Sequence, residues 1–139
     1  MTERVWLACI LGAALATAAP AASAQAPAPP TKAQALSVAG DVAAGWGGAL
    51  GAAGVDIEPC ERSGVVRRCE VHVFNFDIAS SFDCHWWVRV RVASGDTLAW
   101  RTIRRRSDDI DCPDPLPAGP ATSGQEIVPR AGRLAPAPA

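Results

Sequence analysis

Cys84-His85-Trp86-Trp87-Val88-Arg89-Val90-Arg91-Val92, followed by Thr97-Leu98-Ala99-Trp100-Arg101-Thr102-Ile103, is the stretch that decides the fold. It is rich in β-branched and aromatic residues, and apolar and polar positions alternate. Successive side chains of a strand point to opposite faces, so the alternation marks two half-buried strands. Ser94-Gly95-Asp96 between them is a turn. A two-residue loop sets Val88, Val90 and Val92 beside Ile103, Arg101 and Ala99. A three-residue loop sets them beside Thr102, Trp100 and Leu98. A slip of one residue moves every side chain to the other face. The second register joins Trp100 and Leu98 to the valines and keeps arginine out of the core, where an unpaired guanidinium is costly. The three-residue loop is therefore expected.

Upstream, Val65-Val66-Arg67-Arg68-Cys69-Glu70-Val71-His72-Val73-Phe74-Asn75-Phe76 alternates in the same way and adds another strand. Asp77 to Asp83 reads as a polar loop leading into Cys84. Val55-Asp56-Ile57-Glu58 is a short first strand that ends at Pro59, and Glu61 to Gly64 turns the chain. Earlier still, Thr31 offers a helix cap. Leu36, Ala39, Ala43, Trp46, Leu50 and Ala53 recur at steps of three and four, which predicts a helix from about Lys32 to Ala53 with Gly54 as its C-cap. Gly40, Gly45, Gly47, Gly48 and Gly51 each cost about 1 kcal/mol relative to alanine, so packing has to hold this helix. Glycine also permits close approach, and the helix is expected to lie tightly on the sheet, anchored by Trp46.

The two ends differ from this middle. Residues 1–24 read as a signal peptide: Arg4 is the positive start, Val5 to Ala19 is apolar, and Ala22-Ser23-Ala24 fits a small-residue cleavage site. The apolar run falls short of the ~20 residues a spanning helix needs. Residues 25–31 form a stiff Pro/Ala linker. Residues 32–112 form one domain. Residues 113–139 are rich in Pro and Ala and read as a disordered tail, or as extended chain draped over the domain.

Cys9 leaves with the leader, so Cys60, Cys69, Cys84 and Cys112 remain. An even count in a short exported chain implies disulfides, which compensate for a small core. A Cys60–Cys69 bridge staples the turn between them. The preferred register leaves Cys84 near Arg106, within reach of Cys112. The two other pairings stay open. No Cys-x-x-Cys pair suggests zinc, and no cofactor or metal is expected.

The formal net charge is −1, unevenly placed. Arginine outnumbers acid from Arg62 to Arg106, and acid outnumbers arginine from Asp108 onward. The preferred register gives one sheet face of Val71, Val73, Trp86, Val88, Val90, Val92, Leu98 and Trp100 beneath the helix. The other carries Glu70, His72, Phe74, Trp87, Arg89, Arg91, Arg101, Ile103 and Arg105. Arg89 and Arg101 become cross-strand neighbours of like charge, which is unfavourable without an anion or a stacking ring.

His72, Phe74, Trp87, Arg89, Arg91, Arg101 and Arg105 are accordingly the candidate binding residues, for an acidic protein surface or another anionic envelope component. Set against this is a solvated face on which arginine stems cover Trp87 and Asp108, Asp109 and Asp111 neutralise Arg104 to Arg106. Asp108-Asp109-Ile110-Asp111 with Asp114 lacks the spacing and glycine of a calcium loop and reads as an acidic turn. Nucleic acid is not expected for an exported chain that is not basic overall. Catalysis has little support. Asp83-Cys84-His85 hints at a thiol nucleophile, but Cys84 is more simply half of a disulfide, and no nucleophile elbow or phosphate loop is present.

Thr31 to Ala35, then Val55-Asp56-Ile57-Glu58, then Val90-Arg91-Val92-Ala93-Ser94-Gly95 give a helix-then-meander layout that loosely resembles PepSY-type propeptide or inhibitor domains. The double Trp and the disulfides depart from that layout, and no activity is carried over. The sequence thus predicts a secreted or periplasmic α+β domain, one helix on a three- to four-stranded antiparallel meander with two disulfides. A non-catalytic binding or accessory module is the leading function. An envelope-associated structural protein and a small hydrolase or redox enzyme are the alternatives.

Overall fold

The computed structural model describes residue 19 and residues 26–130. The expected signal peptide, residue 19 apart, lies outside the described residues, as does the end of the tail. Helix α1 (Lys32–Leu50) begins where Thr31 caps it. Thr31 Oγ1 accepts from the Gln34 backbone N–H at 3.1 Å, and Gln34 Oε1 accepts from the Thr31 N–H at 2.9 Å. This capping box satisfies two donors that a helix start leaves open. The helix ends earlier than the spacing predicted. Gly51, at φ 62°, closes it in a left-handed conformation that favours glycine, so Gly54 is free to open the first strand.

The buried stripe of α1 is Ala35, Val38, Ala39, Val42, Ala43 and Trp46. It shares Ala39, Ala43 and Trp46 with the predicted face but is rotated about the axis. Leu36 and Leu50 are only half-buried, at its margin. Alanines meet the middle of the sheet, and glycines meet it only along its β1 edge, where Gly40 lies near Ile57 and Gly47 against Val55. Of the other helical glycines, Gly45 abuts Pro120, while Gly48 faces open space. Small side chains along the middle of the stripe permit the close approach that the glycines were expected to supply.

The strands are β1 (Gly54–Ile57), β2 (Glu61–Ser63), β3 (Val66–Asp77), β4 (Ser80–Ser94), β5 (Thr97–Arg104) and β6 (Ser123–Ile127). They form one antiparallel sheet in the order β1-β3-β4-β5-β6, with β2 also paired to β3. Six strands replace the predicted three or four, because β2 and β6 are added, and β3 and β4 run longer than read. The turn after Cys60 is flanked by a short pairing, Glu61↔Arg68 to Ser63↔Val66. The supposed polar loop from Asp77 to Asp83 is mostly strand: β3 and β4 pair without interruption to Asp77↔Ser80. The period of two continues backward from Trp86 through Cys84 to buried Phe82, so Ser80 and Ser81 lie within a strand despite their polarity. Part of the presumed tail is β6, which pairs with β5 from Thr97↔Ile127 to Arg101↔Ser123.

The β4–β5 register is the one preferred from sequence: Val88↔Thr102, Val90↔Trp100, Val92↔Leu98. Its turn is shorter than expected. Ser94 pairs with Thr97 around Gly95-Asp96, and an irregularity between Val92 and Ser94 absorbs the extra residue. Val71, Val73, Trp86, Val88, Val90 and Leu98 are buried on the face beneath α1, with Val92 and Trp100 packed at the edge. Both predicted disulfides are present, Cys60–Cys69 and Cys84–Cys112. Cys60 occupies the break between β1 and β2, where both strands lie along β3.

Residues 113–130 lie over the core, the draped arrangement and not the disordered one. Gly119 lies against the Trp46 ring, so close that a Cβ there would come within 2.4 Å of Cζ3. Val128 is fully buried, and its carbonyl accepts from Gln34 Nε2 at 2.8 Å. Gln34 thus caps the helix and anchors the last strand's exit. Gln34→Ala removes the reach-back bond and leaves a buried carbonyl without its donor, at an expected cost of about 1–3 kcal/mol in urea unfolding. Gln34→Glu keeps an acceptor for the Thr31 N–H but not the donor to Val128, and should recover only part of that loss.

Candidate functional site

The register writes the outward face as cross-strand rows. Arg68 faces Arg89, Arg89 faces Arg101, and Arg101 faces Ser123. Three arginines therefore share one cross-strand row on β3, β4 and β5, on strands about 4.8 Å apart. The row to one side is Val66, Arg91, Ala99 and Gln125. The row to the other is Glu70, Trp87 and Ile103, and beyond it His72 faces His85.

Sequence reasoning found Arg89 beside Arg101. It missed Arg68 as the third member, because the β3–β4 register was out of reach while Asp77 to Asp83 was read as a loop. Of the three, Arg68 has an acid partner in Glu61, 3.7 Å away and largely exposed. Arg89, Arg91, Arg101 and Ser123 line an open groove of about 380 Å³, and among the described residues none of these arginines forms an ion pair within 4.0 Å.

The predicted site residues separate into groups. Arg89, Arg91 and Arg101 form the arginine field with Arg68. Trp87 borders it, with the guanidinium carbons of Arg68 and Arg105 lying 4.0 and 4.3 Å over its ring. Arg105 belongs elsewhere: it is bound to Glu70 Oε1 and, through its other terminal nitrogen, to Asp108 Oδ2 at 2.6 Å. Phe74 stacks on Phe76 at 4.9 Å and packs over Gly54, away from the arginines. His72 joins His85, Glu70 and Asp83 in a cluster that sequence reasoning did not assemble. A signal was available, since His72 and His85 lie at equal distances from the Ile78-Ala79 turn.

The acidic turn after β5 follows the solvated reading in part, with Asp114 in the place expected of Asp111. Asp109 pairs with Arg104 at 2.9 Å, Asp108 with Arg105, and Asp114 with Arg106 at 3.1 Å. These acids neutralise Arg104 to Arg106 and leave the Arg68–Arg89–Arg101 row untouched. Cys84 is bonded to Cys112 and presents no thiol beside His85. No helix among the described residues is long and apolar enough to cross a membrane. Two disulfides fit an oxidising compartment. Set against known proteins, the chain matches no family model, no curated protein and no solved structure, so the PepSY-like layout rests on arrangement alone.

Proposed function

We propose that this is a secreted or periplasmic, non-catalytic binding module that docks an anionic partner, such as an acidic protein surface or a charged envelope component, on the Arg89/Arg91/Arg101 field. The observation that carries the reading is the row Arg68–Arg89–Arg101. Like charges directly opposite one another on a sheet destabilise it by roughly 0.2–1 kcal/mol per pair. Acids sit on the neighbouring arginines, and among the described residues none pairs with Arg89 or Arg101. An anion spanning the row relieves the repulsion, and guanidinium forks suit carboxylate or phosphate oxygens. The disulfides support an extracytoplasmic setting, in keeping with the expected leader.

Two measurements test this. Pull-down from envelope extract should recover a partner at low salt and lose it at high salt, and Arg89→Ala with Arg101→Ala should abolish the capture. Unchanged capture by that double variant refutes the assignment, and a chain that fractionates with the envelope indifferently to both changes is a structural protein instead. The free protein supplies the second test. Arg101→Thr removes repulsion and adds a β-former, so it should unfold at higher urea, by about 0.2–1 kcal/mol. A loss of stability would mean that the row is a structural asset.

A further inference from the structure

We infer that Glu70, His72 and His85 form a binding site for a divalent transition-metal ion of the zinc class. The β3–β4 register sets His72 directly opposite His85, with ring centroids 4.0 Å apart and tilted by 55°. Glu70 Oε1 lies 3.5 Å from His72 Nε2 and 3.5 Å from His85 Nδ1. One ligand atom from each of the three residues falls within 4.8 Å of the others. Ligands around a tetrahedral ion at about 2.0–2.1 Å stand about 3.3–3.4 Å apart. Both histidine–carboxylate separations are already close to that, and small ring rotations bring in the rest.

A second observation points to a cation at this position. The His85 side chain is 9 % exposed, and its Nδ1 is buried with no hydrogen-bond partner. On its other side, Nε2 lies 3.2 Å from Asp83 Oδ2. Nδ1, on the opposite edge of the ring, faces the Glu70 oxygen at 3.5 Å without a hydrogen bond to it. A buried ring nitrogen left without a partner beside a carboxylate oxygen is costly, and a cation held between the two would satisfy both. The carboxylate–histidine arrangement on the far side is the one that orients metal-binding imidazoles and raises their basicity.

Arg105 is the competing cation, bound at the same Glu70 oxygen. It is also held by Asp108, 2.6 Å from its other terminal nitrogen, so it has a second anchor when Glu70 turns to a metal. Two imidazoles with one carboxylate favour zinc, copper or nickel over calcium and magnesium, which prefer all-oxygen shells. Glu70 and His72 are 19 % and 22 % exposed, which leaves an approach from solvent and an open position for water.

The test is isothermal titration of the full, disulfide-bonded chain with Zn²⁺, Mg²⁺ and Ca²⁺, with Co²⁺ as a spectroscopic probe. Zn²⁺ should bind with one-to-one stoichiometry and Mg²⁺ and Ca²⁺ should not. Co²⁺ should give the intense visible bands of a four-coordinate site. His72→Gln and His85→Asn should each weaken Zn²⁺ by about tenfold or more. His72 is the less buried of the two, so His72→Gln remains informative if His85→Asn does not fold. No Zn²⁺ binding, binding matched by Ca²⁺, or affinity unchanged in His72→Gln overturns the assignment. None of these outcomes bears on the arginine row, whose test is salt-sensitive capture.

Discussion

Serine at Cys84 and Cys112 is expected to lower the unfolding free energy by about 3.6 kcal/mol, and serine at all four bridged positions to leave the chain unfolded at roughly 37 °C. The first figure follows from chain entropy. The Cys84–Cys112 bridge spans 28 residues, and closing a loop of that length in the unfolded chain is worth about 3.6 kcal/mol. Cys60–Cys69 spans 9 residues and is worth about 2.6 kcal/mol. Their sum rivals the lower end of the roughly 5–15 kcal/mol that holds a whole domain.

This core has little to set against such a loss. Half of the helix stripe is alanine, which buries little area per residue. The longer bridge also tethers the segment that carries the Asp83↔Ile110 pairing and leads on to Gly119 and β6. Urea unfolding of each serine pair, with near-ultraviolet dichroism to follow the tryptophans, measures the effect. A four-serine chain within about 1 kcal/mol of the parent would show that the sheet holds itself without its bridges.

How much of this was readable beforehand depends on which force set each feature. The β4–β5 register was legible because one alternative buried Arg101 and the other did not, and charge burial separates the two by more than any propensity. That register also favoured the observed disulfide pairing over the two left open, since it carries Cys84 alongside the end of β5. The β3–β4 pairing was hidden because Ser80 and Ser81 look like loop, yet on a strand their neighbours decide, and Phe82 and Cys84 just after them point inward. Without that pairing, neither the third arginine nor the histidine pair was visible. β6 was hidden for a different reason. Ser123–Ile127 carries weak strand character, and it is held at the β5 edge by Val128, buried beneath the helix start. Such a contact spans most of the chain and leaves no local trace.

Trp86 and Trp87 offer the sharpest test of which face is which, because they are sequence neighbours with opposite fates. Trp86 is 2 % exposed and stacks on Trp46 with ring centroids 4.9 Å apart and planes 17° from parallel. Trp86→Ala removes the largest side chain of the core and half of that stack. The alanine-lined helix above it has few atoms to fill the space, so the cavity persists and the expected cost is about 3–5 kcal/mol. Trp46 Nε1 is buried without a hydrogen-bond partner, a penalty that the stack offsets and the variant would expose. Trp87 lies on the outward face beneath Arg68 and Arg105, and Trp87→Ala should cost about 1–2 kcal/mol, mostly in lost cation–π contact and arginine packing. Gly119→Val probes the same pocket from the other side. Its side chain would press into the Trp46 ring, and prying the closing segment off the core should cost about 1–3 kcal/mol. Urea midpoints for the three variants decide the matter: if Trp87→Ala costs as much as Trp86→Ala, the sheet has been assigned the wrong inner side, and the arginine row would no longer be an exposed surface.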